Sequence, residues 1–460
     1  MISDEVLDKV IERIVDKVEK ANERILKAIG ESIKEIGIIN PTKLNQLIMS
    51  LKYGSNYKSM LRELSKQTRI SQKEINEIFE EVAKSDYKFA KQFYEYRDRP
   101  YLPFNKNKEL VEQTRELAKI TANECINLTR TSVLGFGLPG KDGNIVYHGI
   151  RETYYNLLDE AVLSVAQGKE TFDSAMYRQL KDIAESGLKV VYPTTYIDKY
   201  GIERHYTRRL DSAIRMNLKS GLRQLHNEVQ KTIGEQIDAD GWEISVHFNP
   251  AEDHAEAQGK QFTNKEYEKL QSTGVAKTYD GIMIDMHREL KDGSSAPSFR
   301  PISEWNCYHY VFSIVLGVNR PQYSNEQLKD INEQNAKGFE FEGKHYTNYE
   351  GTQLQRQLET EIRKSKEAKL LGQEAGNEEL VLDSQNRIRM LSKKYRELSE
   401  ASGLRTRADR MRIWQISQKM YNLGEWEILR GEYDTRYYYE GNQFFITNCI
   451  RVLYKCNQKL

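Results

Sequence analysis

Apolar residues recur at helical spacing along most of this chain, and this pattern constrains the fold more than any other feature. Near the start, apolar residues lie four or seven positions apart: Val6, Val10, Ile14, Val18, Ile25 and Ile29. A second stripe, between about residues 208 and 238, consists of Leu218, Leu222, Leu225, Val229 and Ile233. Such spacing is typical of amphipathic helices that bury one face. The chain is therefore predicted to be predominantly helical.

Alternation with a period of two, which indicates a half-buried strand, is confined to the middle of the chain. The clearest segment is residues 242–248, and residues 308–315 are rich in aromatic and β-branched side chains. Residues 190–192 and 205–206 flank a turn-rich segment and predict a short hairpin. The expected fold class is α+β and predominantly helical, with a central small-sheet domain flanked by long helices.

These patterns divide the chain into four regions. We expect a helical N-terminal region over residues 1–130 and a central α+β domain over residues 131–320. Residues 321–412 are rich in Gln, Glu, Lys and Arg with sparse Leu and Ile, which predicts extended, mostly exposed charged helices. Residues 413–460 form an aromatic-rich C-terminal tail to which no role is assigned.

Composition excludes several classes of protein. The chain has 69 Lys and Arg against 68 Asp and Glu, so it is not a uniformly basic nucleic-acid coat. Its 28 Tyr, 14 Phe and 4 Trp are too many bulky residues for a disordered chain. Four cysteines argue against a disulfide scaffold and favour a reducing compartment. We expect no membrane span, because the longest apolar stretch, residues 308–318, is shorter than the roughly 20 residues required.

The middle of the chain also holds the candidate metal ligands. Five of the eight histidines lie there: His205, His247, His254, His287 and His309. His254, Cys307 and His309 would suit zinc, since imidazole and thiolate are its preferred ligands. A Cys-x-His pair lacks the second clustered pair that closed sites usually show. We therefore predict no metal site and no cofactor.

A nuclease site is the other chemical possibility. Asp253 and His254 with Asn306 and His309 would supply a His-Asn-His arrangement in which His254 activates water beside a metal. Such an arrangement normally occupies one short ββα unit, whereas His254 and Asn306 lie 52 positions apart. Phosphate loops, nucleophile elbows and H-E-x-x-H motifs are also missing from the sequence. We predict no catalytic residues, and a metal-dependent nucleic-acid-processing enzyme using His254 and His309 remains the alternative function.

Two basic patterns are candidate phosphate contacts. On the long predicted helix, a stripe is formed by Arg208, Arg215, Lys219 and Arg223, for which a solvated helix face is the favoured interpretation. Residues 387–419 hold ten Lys and Arg against three acidic residues, which suits nucleic acid, an acidic protein partner or a solvated face. The candidate nucleic-acid contacts are Arg405, Arg407, Arg410 and Arg412.

Three ordered pieces of the sequence resemble the phage minor capsid protein 2 family. They are GWEISVH at residues 241–247, DHAEAQGKQF at residues 253–262 and WNCYH at residues 305–309. The family motif residues are Asp253, His254, Gln258, Gly259, Lys260, Phe262, Asn306, Cys307 and His309. The chain departs from the family pattern at Ala257, where Trp is usual, and at Tyr308, where Arg is usual. The resemblance covers roughly residues 130–412.

The resemblance implies a minor structural protein of a tailed-phage or prophage head, with a central domain similar to the head-morphogenesis domain of Mu F-like proteins. It implies assembly near the portal, with portal, capsid or scaffolding proteins as partners. The basic segment at residues 387–419 is the expected contact with packaged double-stranded DNA. The expected location is the virion head interior, and the host cytoplasm during assembly. We interpret the motif as a structural network around a small sheet, because partnered buried polar groups specify geometry.

Overall fold

Long helices dominate the computed structural model of this chain, as the apolar spacing predicts. The structure describes residues 4–37, 71–130, 132–140, 144–150, 152–153, 171–197, 203–287, 299–303, 307 and 309–413. The helices are α1 (Asp4–Gly37), α2 (Gln72–Phe89), α3 (Lys91–Tyr96), α4 (Lys108–Leu128), α5 (Phe172–Ser186), α6 (Leu210–Gln236), α7 (Glu252–Ala255), α8 (Asn264–Thr273), α9 (Asn325–Lys337), α10 (Asn348–Ala375) and α11 (Glu378–Ser402). Short 3₁₀ helices cover Phe104–Lys106 and Ala408–Met411.

Small antiparallel sheets supply the β component of the fold. The strands are β1 (Leu134–Pro139), β2 (Ile145–Gly149), β3 (Lys189–Ile197), β4 (Glu203–Arg209), β5 (Gly241–Ile244), β6 (Gln261–Thr263), β7 (Val275–Lys277), β8 (Met283–Asp285), β9 (Val311–Ile314), β10 (Phe339–Phe341) and β11 (Lys344–Tyr346). They form a four-stranded sheet in the order β2-β1-β3-β4, a three-stranded sheet in the order β6-β5-β9, and the pairs β7-β8 and β10-β11. The α+β, predominantly helical prediction is confirmed, and the predicted hairpin is β3-β4.

The chain divides into two units, Met1–Met411 and Arg412–Leu460, and all elements named here belong to the first. Apart from its first residue, the aromatic-rich tail, residues 413–460, lies outside the described residues. The division of the chain into four regions stays a prediction.

Helix α6 lies at the centre of a helical body, which we define by one core that also includes residues of α1, α2, α4, α5, α10 and α11. The predicted stripe of α6 is buried, with each side chain at most 2% exposed: Leu218, Leu222, Leu225, Val229 and Ile233. Burying each such side chain contributes about 1.5–3 kcal/mol. This stripe therefore holds α6 firmly among the other helices.

Helix α10 is far more buried than its charged composition suggests. Glu359, Arg363 and Glu367 are 3%, 6% and 3% exposed. The expectation of mostly exposed helices is wrong for α10, because its charged side chains meet partners on other helices. Arg363 donates to Asp211 at the start of α6, and Asn22 of α1 donates to Glu367 over 3.0 Å.

Asp211 is the centre of this buried charge network. Its carboxylate contacts Arg363, lies 3.4 Å from Arg209 Nε and lies 3.5 Å from Arg215 Nη1. Arg215 also forms a bidentate pair with Glu12 of α1, at 2.7 and 2.9 Å. Burial alone would raise the pKa of Asp211, but the three arginines outweigh it and hold the pKa well below its ordinary value. The network therefore joins α1, α6 and α10.

Two cations of the basic stripe predicted on α6, Arg215 and Arg223, do not face solvent. The Arg215 side chain is 12% exposed and paired with two acidic residues, and Arg223 is 5% exposed. Periodicity placed these cations beside the apolar stripe correctly, but other elements cover that face. The stripe is therefore neither a solvated face nor a phosphate contact at these two positions.

A second, smaller core builds what we call the sheet module, which comprises residues 241–287, 299–303, 307 and 309–314. Its buried side chains are Ile244, Ala257, Phe262, Leu270, Ala276, Ile284, Met286, Ile302 and Val311. Helix α6 holds this module through polar contacts. His226 Nε2 donates to the Val311 carbonyl over 3.0 Å, and His226 Nδ1 lies 2.8 Å from Asp86 Oδ2 of α2. The Ser313 hydroxyl donates to the Gln230 carbonyl over 2.7 Å.

Asp211→Asn should lower the free energy of unfolding by about 3–5 kcal/mol, because it leaves buried guanidinium groups without their shared counter-charge. Urea unfolding followed by circular dichroism measures this loss. The control is Glu77→Gln, which breaks a pair with Lys73 whose side chains are 64% and 86% exposed. It should change stability by no more than about 0.5 kcal/mol. Equally small effects of both variants would contradict the role given to Asp211.

Candidate functional site

The three-stranded sheet brings the motif segments together. Strand β5 pairs antiparallel with β6, which follows the Gln-Gly-Lys turn, and with β9, which follows the Cys-x-His segment. Glu243 lies opposite Gln261 and Ile244 lies opposite Val311. The motif segments next to β6 and β9 are distant in sequence, since 53 positions separate His254 from Cys307. The sheet, rather than a local motif, therefore assembles the site.

His254, Cys307 and His309 form a compact buried cluster. Their exposed fractions are 1%, 2% and 3%. Cys307 Sγ lies 3.5 Å from His254 Nδ1 and 3.5 Å from His309 Nδ1. One potential ligand atom from each of the three side chains lies within 4.8 Å of the others. The cluster has the residue types and spacing that suit a metal ion.

Acceptors on the far side of each imidazole fix both rings. His254 Nε2 donates to the Arg300 carbonyl over 2.8 Å, and His309 Nε2 donates to Gln258 Oε1 over 3.4 Å. Gln258 Oε1 also accepts the His247 backbone N–H at 2.9 Å, and Gln258 Nε2 donates to Asn332 at 2.9 Å, so the amide orientation is determined. Both Nδ1 atoms then carry lone pairs in the neutral rings.

Backbone groups surround the Cys307 sulfur as well. The N–H groups of Ser303 and His309 donate to Sγ over 3.2 and 3.4 Å. Burial raises the pKa of the Cys307 thiol, although these two N–H groups act in the opposite direction. Burial, followed by the neighbouring His247 and His254, holds the pKa of His309 well below its ordinary value. His309 is therefore neutral at physiological pH.

Asp253 anchors the cluster without contributing a free carboxylate. Its side chain is fully buried, and Arg300 donates to both carboxylate oxygens, at 2.6 Å from Nε and 2.8 Å from Nη2. Because the Arg300 carbonyl also holds His254, one residue links the ion pair to the imidazole. Such bidentate pairs fix geometry strongly. Both oxygens of the Asp253 carboxylate are therefore engaged by Arg300.

The Gln-Gly-Lys turn is the part of the sheet module that packs against α9. Gly259 has a φ of +68°, and a Cβ there would lie 2.5 Å from Leu328 Cδ2 and 2.8 Å from Val246 Cγ2. Lys260 Nζ donates to Asn325 Oδ1 at the start of α9. Phe262 is completely buried in the second core. The turn needs glycine for both its conformation and its close packing.

Comparison with known proteins decides the family. The model of phage minor capsid protein 2 matches residues 2–400. The chain belongs to the phage minor capsid protein 2 family. No curated protein and no solved structure matches it. Membership in this family supports a structural role in the phage head and confirms the resemblance that the motif residues indicate.

In this minor capsid protein, eight of the nine motif residues lie in or beside the sheet module, and Asn306 lies outside the described residues. Their structural role stays an interpretation. Sequence reasoning missed Arg300, Ser303 and Asn332, which contact the motif from 47, four and 74 positions away. Arg300 lies 47 positions from its partner Asp253, and no local sequence pattern predicts their pairing. Among the described helices, none combines the length with the hydrophobicity needed to cross a bilayer.

The four predicted arginine contacts of this minor capsid protein are in different settings. Arg405 is exposed, whereas the Arg410 side chain is 14% exposed and lies 4.0 Å from Glu359. The Arg407 backbone N–H donates to the Tyr395 hydroxyl over 2.8 Å. Arg412 belongs to the second unit and is half-buried. Further exposed cations of the same basic segment lie on α11: Arg389, Lys393 and Arg396.

Gly259→Ala should destabilise the minor capsid protein by about 2–4 kcal/mol, because it adds a steric clash to the cost of a left-handed backbone. Gly343→Ala is the matched control. Gly343 has a φ of +72°, but nothing lies within 4 Å of a Cβ there. The control should cost only about 1 kcal/mol. Urea unfolding measures both values, and equal losses would show that packing at the motif turn is unimportant.

Proposed function

We propose that this chain is a non-enzymatic minor structural protein of a tailed-phage or prophage head that acts in head assembly near the portal. The family match over residues 2–400 carries the proposal. The proposed partners are the portal protein, capsid or scaffolding proteins, and packaged double-stranded DNA. The protein would reach the head interior from the host cytoplasm, where heads assemble.

An exposed hairpin supports contact with another head protein. At the end of β3 and in β4, Tyr196, Ile197 and Tyr206 are 41%, 75% and 52% exposed. The rings of Tyr196 and Tyr206 lie 4.7 Å apart between centroids, so they form one apolar surface. Grouped apolar side chains in solvent are typical of protein contact sites. The hairpin is therefore the proposed assembly contact.

Contact with packaged DNA would use the exposed part of the basic segment. Arg389, Lys393 and Arg396 lie four and three positions apart on α11, which places them on one helix face. Arg387 and Lys394 form closer ion pairs, with N–O distances of 2.7 Å to Glu361 and 2.6 Å to Glu342. Lys393 lies 3.7 Å from Glu397 in a solvent-exposed pair, which is weak in water. We therefore assign the phosphate contact to the α11 face together with Arg405.

The contacts of the motif cluster do not favour the alternative of a metal-dependent nucleic-acid-processing enzyme. His254 and His309 are almost completely buried, and the Asp253 carboxylate is held by Arg300. A phosphodiester must lie within hydrogen-bond reach of its general base. No group in the described part of this cluster combines exposure with a free proton acceptor. We propose that the cluster is architectural.

The head proposal predicts that the protein is found in purified heads at far lower abundance than the major coat protein. Replacing Tyr196 and Ile197 by serine should reduce its amount in heads at least several-fold without changing its stability, because both side chains are exposed. Leu382→Ser, at a position 63% exposed on α11, is the control and should leave incorporation unchanged. Quantitative mass spectrometry of heads from a complemented deletion strain measures all three. Absence of the wild-type protein from heads would refute the proposed function.

The DNA contact predicts a salt-dependent affinity for duplex DNA. Neutralising Arg389, Lys393, Arg396 and Arg405 to glutamine should reduce the magnitude of the slope of log affinity against log salt by about 3.6, since each phosphate contact contributes about 0.9. The control neutralises four exposed lysines elsewhere, which are Lys73, Lys88, Lys91 and Lys329. Fluorescence anisotropy across a salt series gives the slopes. An equal reduction in both variants would remove the DNA contact from the proposal and leave the head role standing.

A further inference from the structure

The cluster of His254, Cys307 and His309 directs two imidazole nitrogens at one sulfur atom. The two Nε2 atoms donate away from the cluster, to the Arg300 carbonyl and to Gln258 Oε1. Both Nδ1 lone pairs therefore point at the same sulfur, each from 3.5 Å. Two imidazole nitrogens and one sulfur therefore converge in a buried space, which is a donor set that suits a metal ion.

The two sulfur–nitrogen distances match those expected around a tetrahedral metal ion. Zinc lies about 2.3 Å from a cysteine sulfur and about 2.0–2.1 Å from a histidine nitrogen. A tetrahedral angle between these bonds separates sulfur from nitrogen by about 3.5 Å. Both sulfur–nitrogen distances in the cluster are 3.5 Å. The two observed edges therefore have the length that a shared zinc ion would impose.

We propose that His254 Nδ1, Cys307 Sγ and His309 Nδ1 bind a Zn²⁺ ion, although the sequence alone predicts no metal site. The contacts around the three ligands suit this role. Metal-bound imidazoles usually donate their other nitrogen to a carbonyl or carboxylate, as both rings do here. Two backbone N–H groups point at the sulfur and would stabilise a thiolate. Three protein ligands leave a fourth position for water or a further residue.

The ion would close the sheet module. His254 belongs to α7, whereas Cys307 and His309 belong to the segment that leads into β9. The strands that follow these two segments, β6 and β9, are not paired with each other in the three-stranded sheet, because β5 lies between them. A metal bridge over 53 positions would connect them and couple metal binding to folding. This proposal adds a resident ion to an architectural module and requires no catalysis.

Metal content of the full-length protein tests the proposal. Protein purified without chelators from cells supplied with zinc should contain about one zinc per chain by inductively coupled plasma mass spectrometry. After the zinc is removed and replaced with Co²⁺, the protein should show thiolate-to-cobalt charge transfer and the visible bands of tetrahedral cobalt. Chelation should also lower its melting temperature. Failure of zinc-supplied wild-type protein to retain metal, together with no charge-transfer band, would overturn the proposal and indicate a hydrogen-bonded cluster only.

Variants assign the signal to the cluster. Cys307→Ser should abolish the charge-transfer band, and the control Cys125→Ser should retain it, because Cys125 is buried in α4 within the helical body. A band that persists in Cys307→Ser would place the metal elsewhere and refute the assignment. Gln258→Leu removes the acceptor for His309 and should weaken zinc affinity about 10–100-fold. Gln258→Glu keeps an oxygen that can accept from His309, so its zinc affinity should be higher than that of Gln258→Leu. A loss of affinity caused only by disturbed packing would not be reversed in this way.

If the metal-loaded protein nicks supercoiled DNA and His254→Gln loses this activity, the metal proposal stands and the non-enzymatic part of the proposed function fails. If zinc binds and no nicking occurs, both proposals stand. The two proposals can therefore fail separately. Circular dichroism of each variant shows whether a lost signal reflects a lost ligand or a lost fold.

Discussion

A carboxylate buried among three guanidinium groups determines how the long helices of this minor capsid protein meet. Buried charges are costly unless they are paired. Helices α1, α6 and α10 can therefore pack only in the few registers that pair Asp211 with Arg215 and Arg363. An apolar stripe alone would tolerate sliding by a helical turn, because one leucine can replace another. The charge network removes that freedom. The burial of α10, despite its charged sequence, follows from the same requirement.

The opposite end of α6 transmits this order to the sheet module. His226 bonds the Val311 carbonyl and contacts Asp86, and Ser313 bonds the Gln230 carbonyl. Strand β9 therefore sits on a helix whose position is already fixed. The Cys-x-His segment directly precedes β9, so the position of β9 on α6 also fixes the motif cluster. Rigid support of this kind suits either an architectural network or a preorganised metal site.

Local patterns were sufficient for some parts of the fold and insufficient for others. The stripe of α6 and strand β5 were predictable because periodicity of 3.6 or two depends only on neighbouring residues. The pairs Asp253–Arg300 and Asp211–Arg363 join residues 47 and 152 positions apart, and no spacing rule reaches that far. The motif residues indicated the family, and the zinc ligand types were evident. The sequence did not show that these three side chains lie together, because their proximity depends on the pairing of β5 with two strands that are distant in sequence.

Through α6, the helical body and the sheet module form one structural unit. Native-state hydrogen exchange of the full-length protein measures this coupling, because the method gives a free energy of opening for each backbone amide. We expect the amides of β5 and β9 to open with the same free energy as those in the middle of α6. Strand amides that open at a free energy lower by more than about 2 kcal/mol would contradict it.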